Sequence, residues 1–328
     1  MLKKTLLVLV VLVVGAAAVL WLGAAASLDW DRSHSDATAA LPEFSSAASG
    51  LVRINAGSHT FRARVAGLGG TRGNIIALHG FPESSAMWLP LIDAAAEAGF
   101  QVVAFDQRGY SPGARPDSVD DYAIDKLGAD VLAIADAAGF SDFHLVGHDW
   151  GAAVGWWLVL KHPERISTWT SLSIPHIAAF GAAIETDSDQ RQRSSYMTLF
   201  RTPWLPEQLF AFNKFNLMRT AIYAEHRPDQ VEEYLALFAE PGAISGALNW
   251  YRAANLADTG DPAVTLPVLF VWGNQDPAVG RAGVDAQQPY LKGEYAELEL
   301  DAGHWLMETH ASLIVPAVLA HLDKHPSR

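Results

Sequence analysis

The sequence contains no cysteine. That absence removes disulfides, thiolate metal ligands and a cysteine nucleophile together, and it leaves the redox compartment open. Positive charge is scarce: 23 Lys and Arg stand against 36 Asp and Glu, a formal net charge of −13. Phosphate backbones repel a chain this acidic, so no nucleic-acid partner is expected. Charged residues make up only 18% of the chain and hydrophobic ones 50%, which suits a globular protein carrying one extra apolar segment. No internal repeat appears, and no low-complexity tract beyond the N-terminal region.

That segment is the N-terminus. Lys3 and Lys4 precede an uncharged run from Thr5 to Leu28, mostly Leu, Val and Ala. Roughly 20 apolar residues suffice to span a bilayer as a helix. A cleaved signal peptide is the competing reading, with Ala24-Ala25-Ala26 as small residues at the cleavage site. Signal cores usually run about 7–15 residues, and this run is longer. Asp29 and Asp31 follow it, so the positive-inside rule places the N-terminus in the cytoplasm and the rest outside it, either membrane-anchored or secreted after cleavage. The Ser-, Ala- and Asp-rich stretch that follows reads as a tether. The expected division is anchor or signal over 1–28, tether over 29–46, a core over 47–174 and 262–328, and a helical cap over 175–261.

Apolar runs then alternate with helical patterns. Residues 51–56 and 60–66 read as a hairpin; 74–79, 101–106, 143–147, 168–174, 267–272 and 296–300 read as further strands. Helical patterns fall at 85–98, 124–138, 151–161 and 311–321, several closed by Gly or Pro. This alternation predicts an α/β fold: a mostly parallel sheet with helices on both faces. Residues 175–261 break the rhythm with aromatic-rich helical stretches at 196–200, 206–215, 230–238 and 242–254, and read as an insertion between two strands.

Gly147-His148-Asp149-Trp150-Gly151 follows a strand and opens a helix. This is the nucleophile elbow G-x-S-x-G with aspartate in the serine position. The helix dipole favours a carboxylate there and lowers its pKa. His79-Gly80-Phe81-Pro82 ends the third strand, where one oxyanion N–H originates; the other belongs to the residue after the nucleophile. Those residues are Phe81 and Trp150. Asp276 follows the strand at 267–272, and His304, in Asp301-Ala302-Gly303-His304-Trp305, follows the strand at 296–300. Strand C-terminal ends are where open α/β sheets place their sites. The order Asp149, Asp276, His304 is nucleophile, acid, base. Each alone reads equally well as a loop residue or a helix cap; their order on the right elements is what carries the reading.

Residues 51–323 thus resemble the α/β-hydrolase superfamily, specifically its epoxide hydrolases. The matching pieces are HGFPES at 79–84, FDQRGY at 105–110, GHDWG at 147–151, Asp276, and Gly303-His304. Ser195-Tyr196-Met197-Thr198-Leu199-Phe200 and Asn249-Trp250-Tyr251-Arg252 are similar to the cap segments that carry two epoxide-activating tyrosines. The bland reading of both is aromatic packing. The resemblance implies that Asp149 opens a small apolar epoxide to an ester, that Tyr196 and Tyr251 donate to the departing oxygen, and that His304, oriented by Asp276, activates the hydrolytic water. The product is a vicinal diol, and no metal or organic cofactor is required. A carboxylate with a pKa near 4 is already ionised at neutral pH, so it needs no base for the first step.

Dehalogenases share the aspartate and the fold and are the nearest rival. Haloalkane dehalogenases commonly place a polar side chain where Phe81 stands, and many carry the acid after the strand matching 168–174, where Ser173-Ile174-Pro175-His176 offers none. Fluoroacetate dehalogenases resemble the chain at HGFP but have arginine where Trp150 stands. A membrane-anchored binding protein on an idle hydrolase scaffold is the remaining alternative. Asp106, Arg108, His79 and His148 read as structural, His176 as a weaker candidate donor at the cap entrance, and Trp156 and Trp157 as packing. Membrane contact is expected through the N-terminal segment only, and oligomeric state is left open.

Overall fold

A computed structural model describes residues 2–29, 39–255 and 262–327, with backbone only for residues 2–11. Its centre is an eight-stranded sheet in the order β1-β2-β4-β3-β5-β6-β7-β8. β1 (Gly50–Ala56) and β2 (His59–Ala66) form an antiparallel hairpin, and β2 runs antiparallel to β4 (Gln101–Phe105). From β4 onward, β3 (Asn74–Leu78), β5 (Phe143–His148), β6 (Ile166–Leu172), β7 (Val268–Gly273) and β8 (Tyr295–Leu300) are all parallel. The central strands β3, β4, β5 and β7 are buried almost throughout. A parallel sheet covered on both faces demands such near-continuous apolar runs.

Helices α2 (Leu89–Glu97), α3 (Ile124–Ala138) and α4 (Trp150–Lys161) follow β3, β4 and β5 as crossovers. α3 ends at Gly139 in the left-handed conformation (φ 76°), the C-terminal stop that glycine allows. Between β6 and β7 the chain leaves the sheet for α5 (Ile177–Thr186), α6 (Ser188–Arg193), α7 (Tyr196–Arg201), α8 (Leu205–Leu217), a π turn (Met218–Ile222), α9 (Pro228–Phe238) and α10 (Ala243–Ala253). Among the described residues this insertion holds no strand. After β7 come α11 (Arg281–Asp285) and, following β8, α12 (Leu306–Lys324). α5 and α6 have no counterpart in the sequence reading. Their stretch holds a single aromatic residue, Phe180, where the other cap helices hold several, and α6 is wholly polar. α12 starts five residues before the helical pattern at 311–321; polar Glu308, Thr309 and His310 separate its first residues, Leu306 and Met307, from that pattern.

The N-terminal apolar run is helical over Leu2–Ala25, here α1. Among the described residues no helix is long and apolar enough to cross a membrane; the run read as an anchor includes residues 2–11, whose side chains lie outside the described residues. The C-terminal end of α1 packs on α8. Ala24 is buried there, the Ser27 hydroxyl accepts from the Lys214 N–H at 2.9 Å, and the Asp29 N–H donates to the Ala239 carbonyl at 2.8 Å. Much of the stretch read as a tether, residues 30–38, lies outside the described residues. Its last part lies along β1: the Arg53 N–H donates to the Pro42 carbonyl at 2.9 Å, and Arg53 Nη2 meets Glu43 Oε1 at 2.8 Å.

Candidate active site

Asp149 sits between β5 and α4 with φ 51° and ψ −121°, a conformation that costs a non-glycine residue energy and is sustained only by its surroundings. The turn is tight enough that a Cβ on Gly147 would lie 2.6 Å from the Gly151 carbonyl oxygen. Strain and packing together hold the Asp149 carboxylate at the mouth of α4.

Two of the partners expected from the sequence, Phe81 and His304, meet it directly. The Phe81 N–H donates to Asp149 Oδ1 at 2.8 Å. His304 Nε2 lies 3.6 Å from Asp149 Oδ2. His304 Nδ1 is 2.8 Å from Asp276 Oδ2, while Asp276 Oδ1 accepts from the N–H groups of Ala278 (2.7 Å) and Val279 (3.1 Å). Fixing both carboxylate oxygens of Asp276 fixes the imidazole it holds. The loop carrying Asp276 is in turn held from the cap: Arg193 Nη1 donates to the Asp276 carbonyl at 2.6 Å, Gln190 Nε2 to the Ala278 carbonyl at 2.8 Å, and Gln190 Oε1 accepts from the Gly280 N–H at 2.7 Å. Gln190 and Arg193 were not singled out by sequence; nothing distinguishes them there from a solvated polar helix.

Burial raises the Asp149 carboxyl pKa, but the His304 hydrogen bond and charge, His148 and the Phe81 N–H outweigh it, and the net shift is downward. Burial lowers that of His304, yet the charge of Asp276 and the contacts with both aspartates carry it well above the ordinary histidine range. The resting pair is therefore carboxylate and imidazolium at neutral pH.

Tyr196 and Tyr251 face this pair from the cap. Burial, followed by nearby negative charge, raises the Tyr196 phenol, and burial raises Tyr251 well above its ordinary value. Both hold their protons at neutral pH. The rings of Trp150 and Phe81 stand edge-on to that of Tyr251 at 5.0 and 5.2 Å. Two cavities meet at Asp149 and Tyr196. One, of about 360 Å³, runs past Ile174, Ile177, Phe180 and Met197; the other, of about 230 Å³, runs past Phe200, Ile222 and Trp305.

The remaining residues separate cleanly. Asp106 Oδ1 accepts from the Ser85 N–H, and Arg108 pairs with Asp130 through two bonds of 2.7 Å, so both brace loops. His79 Nδ1 faces the Gly80 carbonyl, and Nε2 accepts from the Gln107 N–H. His176 is fully buried, caps α5 through Nδ1, stacks on Tyr290 and lines neither cavity. Burial lowers its pKa to about 4. Trp156 is buried with its indole N–H on the Ile174 carbonyl at 3.0 Å; Trp157 packs against Gly128. His148 was read as structural, and it ties the site to a buried carboxylate: its Nε2 lies 3.0 Å from the His304 carbonyl and its Nδ1 3.0 Å from Glu83 Oε2.

Residues 73–311 match a family model described as the alpha/beta hydrolase fold. Among curated proteins, the chain is 30% identical over 255 residues to the AB hydrolase superfamily protein YfhM of Bacillus subtilis, covering 76% of this chain and 89% of that protein. It is 30% identical over 273 residues to epoxide hydrolase 4 of Mus musculus, covering 79% and 76%. In fold it is similar to an epoxide hydrolase from Bacillus megaterium, with a TM-score of 0.74 and 24% identity over 83% of this chain and 99% of that one.

Proposed function

We propose, for a chain that belongs to the α/β-hydrolase family and to its epoxide hydrolases, that it converts an apolar epoxide to a vicinal diol through an ester on Asp149. The observation that carries this reading is the placement of two protonated phenols, Tyr196 and Tyr251, opposite an ionised Asp149 in one apolar site. An alkyl halide needs donors for a leaving anion but no proton; a ring-opened alkoxide needs both. The ring of Trp150, the group most able to serve a halide, packs edge-on against that of Tyr251.

In this mechanism Asp149 Oδ2 attacks a ring carbon while Oδ1 stays on the Phe81 N–H. The carbon–oxygen bond breaks and the oxygen takes a proton from the tyrosine pair. Esterification removes the charge of Asp149, one of the groups that raises the His304 pKa. The His304 proton then passes to the tyrosinate left by ring opening, and the neutral imidazole, held by Asp276, takes a proton from water. The water attacks the Asp149 carboxyl carbon, and the Phe81 N–H, with the backbone N–H of Trp150 as second donor, holds the oxyanion. Collapse releases the diol and restores the carboxylate.

Two cavities flanking Asp149 suit an epoxide with apolar groups on both ring carbons. We expect diol release from 1,2-disubstituted epoxides and none of the corresponding halide release from haloalkanes. The double variant Tyr196→Phe/Tyr251→Phe should lose ~10³-fold in diol formation, the scale of removing transition-state donors. Halide release without diol, or an unchanged double variant, would refute the reading.

We further propose that the run from Thr5 to Leu28 tethers the enzyme to a membrane; its support is the uncharged length behind Lys3 and Lys4. Diol-forming activity of the full chain should remain in the membrane pellet after an alkaline carbonate wash. Activity recovered wholly in the supernatant would exclude a spanning anchor.

A further inference from the structure

Beyond His148 lies a second group of titratable side chains that the proposed chemistry does not use. Glu83 comes from the loop after β3, Glu308 from the first turn of α12, and His226 from the cap segment before α9. One ligand atom from each lies within 4.8 Å of the others. Glu83 is fully buried, as is the imidazole of His226.

The hydrogen bonding of the three is lopsided in a consistent way. Glu83 Oε2 is held by His148, and its Oε1 has no hydrogen-bond partner. Glu308 Oε1 is held by Gln230 Nε2 at 3.2 Å, and its Oε2 has none. Neither ring nitrogen of His226 has one. Buried polar atoms left so are costly, and here they converge. His226 Nε2 stands 3.6 Å from Glu83 Oε1, too far for a hydrogen bond. Two ligands each about 2.0–2.1 Å from a tetrahedral ion stand about 3.3–3.4 Å apart. One oxygen of each carboxylate oriented by an outer donor, the other directed inward, is the arrangement that surrounds bound metal ions. Aromatic rings close the site: Trp305 at 4.9 Å and Tyr223 at 5.0 Å from the His226 ring.

Charge points the same way. Two carboxylates share this space, and burial together with Glu83 pushes the Glu308 carboxyl well above its ordinary range. A dication would replace the proton that otherwise relieves the repulsion.

We propose that Glu83, His226 and Glu308 bind one divalent transition-metal ion of the zinc class, which pins the cap to the core. Imidazole with carboxylate ligands suits zinc, manganese or cobalt better than calcium or magnesium. The ion takes no part in the ring opening; it ties His226 of the cap to two core carboxylates, one of which reaches the His304 backbone through His148.

The test uses the full chain without an affinity tag, stripped with EDTA and titrated with zinc alone. One equivalent should survive desalting, and the unfolding temperature should rise by about 5 °C at a hundredfold excess over Kd. Cobalt in place of zinc should develop visible d–d bands. Glu308→Gln replaces a protonated carboxyl by an amide of the same shape, so it should fold while losing both the retained zinc and the shift; His226→Gln should do the same. Wild-type protein that retains no zinc overturns the proposal, and so does a folded Glu308→Gln protein that retains as much as wild type.

Discussion

Replacing His304 by glutamine should leave the enzyme carrying its substrate as an ester on Asp149. The first step asks nothing of His304 as a base, because Asp149 is already ionised. The second step asks for a base at Nε2, 3.6 Å from Asp149 Oδ2. Glutamine keeps a polar side chain near Asp276 but takes no proton. Turnover should fall by at least ~10³-fold, the upper part of the range for a lost general base, while mass spectrometry finds the protein heavier by one substrate. Asp149→Ala should lose more than ~10⁴-fold and show no added mass. In wild type turning over in ¹⁸O water, the peptide containing Asp149 should acquire the label, since water attacks its carboxyl carbon. Label that appears only in the diol during a single turnover would mean direct attack of water on the ring, and the covalent mechanism would fall.

The second large effect concerns folding. Gly151→Ala would place a methyl group 2.2 Å from the Leu78 carbonyl oxygen and 2.6 Å from that of His79. Both are backbone atoms of β3 and its exit, so no side chain can swing aside. Relief requires β3 and α4 to part, at a cost of about 3 kcal/mol or more. For a domain of this size that is a drop of roughly 6–12 °C in Tm. The same movement draws the Phe81 N–H away from Asp149 Oδ1, so activity should fall further than the lost stability explains. Circular dichroism melts and diol assays on one preparation check both; an unchanged Tm would mean that the elbow is looser than its contacts imply.

The legible parts of this chain share a physical cause. The elbow reads from five residues because a carboxylate at positive φ between β5 and α4 tolerates only glycine two positions either side. The strands read because both faces of β3, β5 and β7 are buried, which forces unbroken apolar runs. Asp276 and His304 read because parallel strands deliver their C-terminal ends to one edge, whatever lies between them in the chain. The tyrosine segments needed more: aromatic residues in a helical cap look alike whether they pack or donate, and only the resemblance separated Tyr196 and Tyr251 from their neighbours.

What stayed hidden depends on distant meetings. Gln190 and Arg193 on α6 are unremarkable polar residues until the cap folds them onto the Asp276 loop. His226 has no metal-ligand spacing to Glu83 or Glu308, which lie 143 and 82 positions away; the cap brings it to them. The sequence by itself determined the sheet, the elbow and the strand-end positions of Asp149, Asp276 and His304, because local backbone geometry and strand burial dictate those, while the proposed class of chemistry came from the resemblance. Tertiary structure alone decided which oxygen of Asp149 faces His304, where the two cavities run, and that Glu83, His226 and Glu308 converge behind the site, because those follow from how the cap packs on the sheet and leave no periodic mark in the chain.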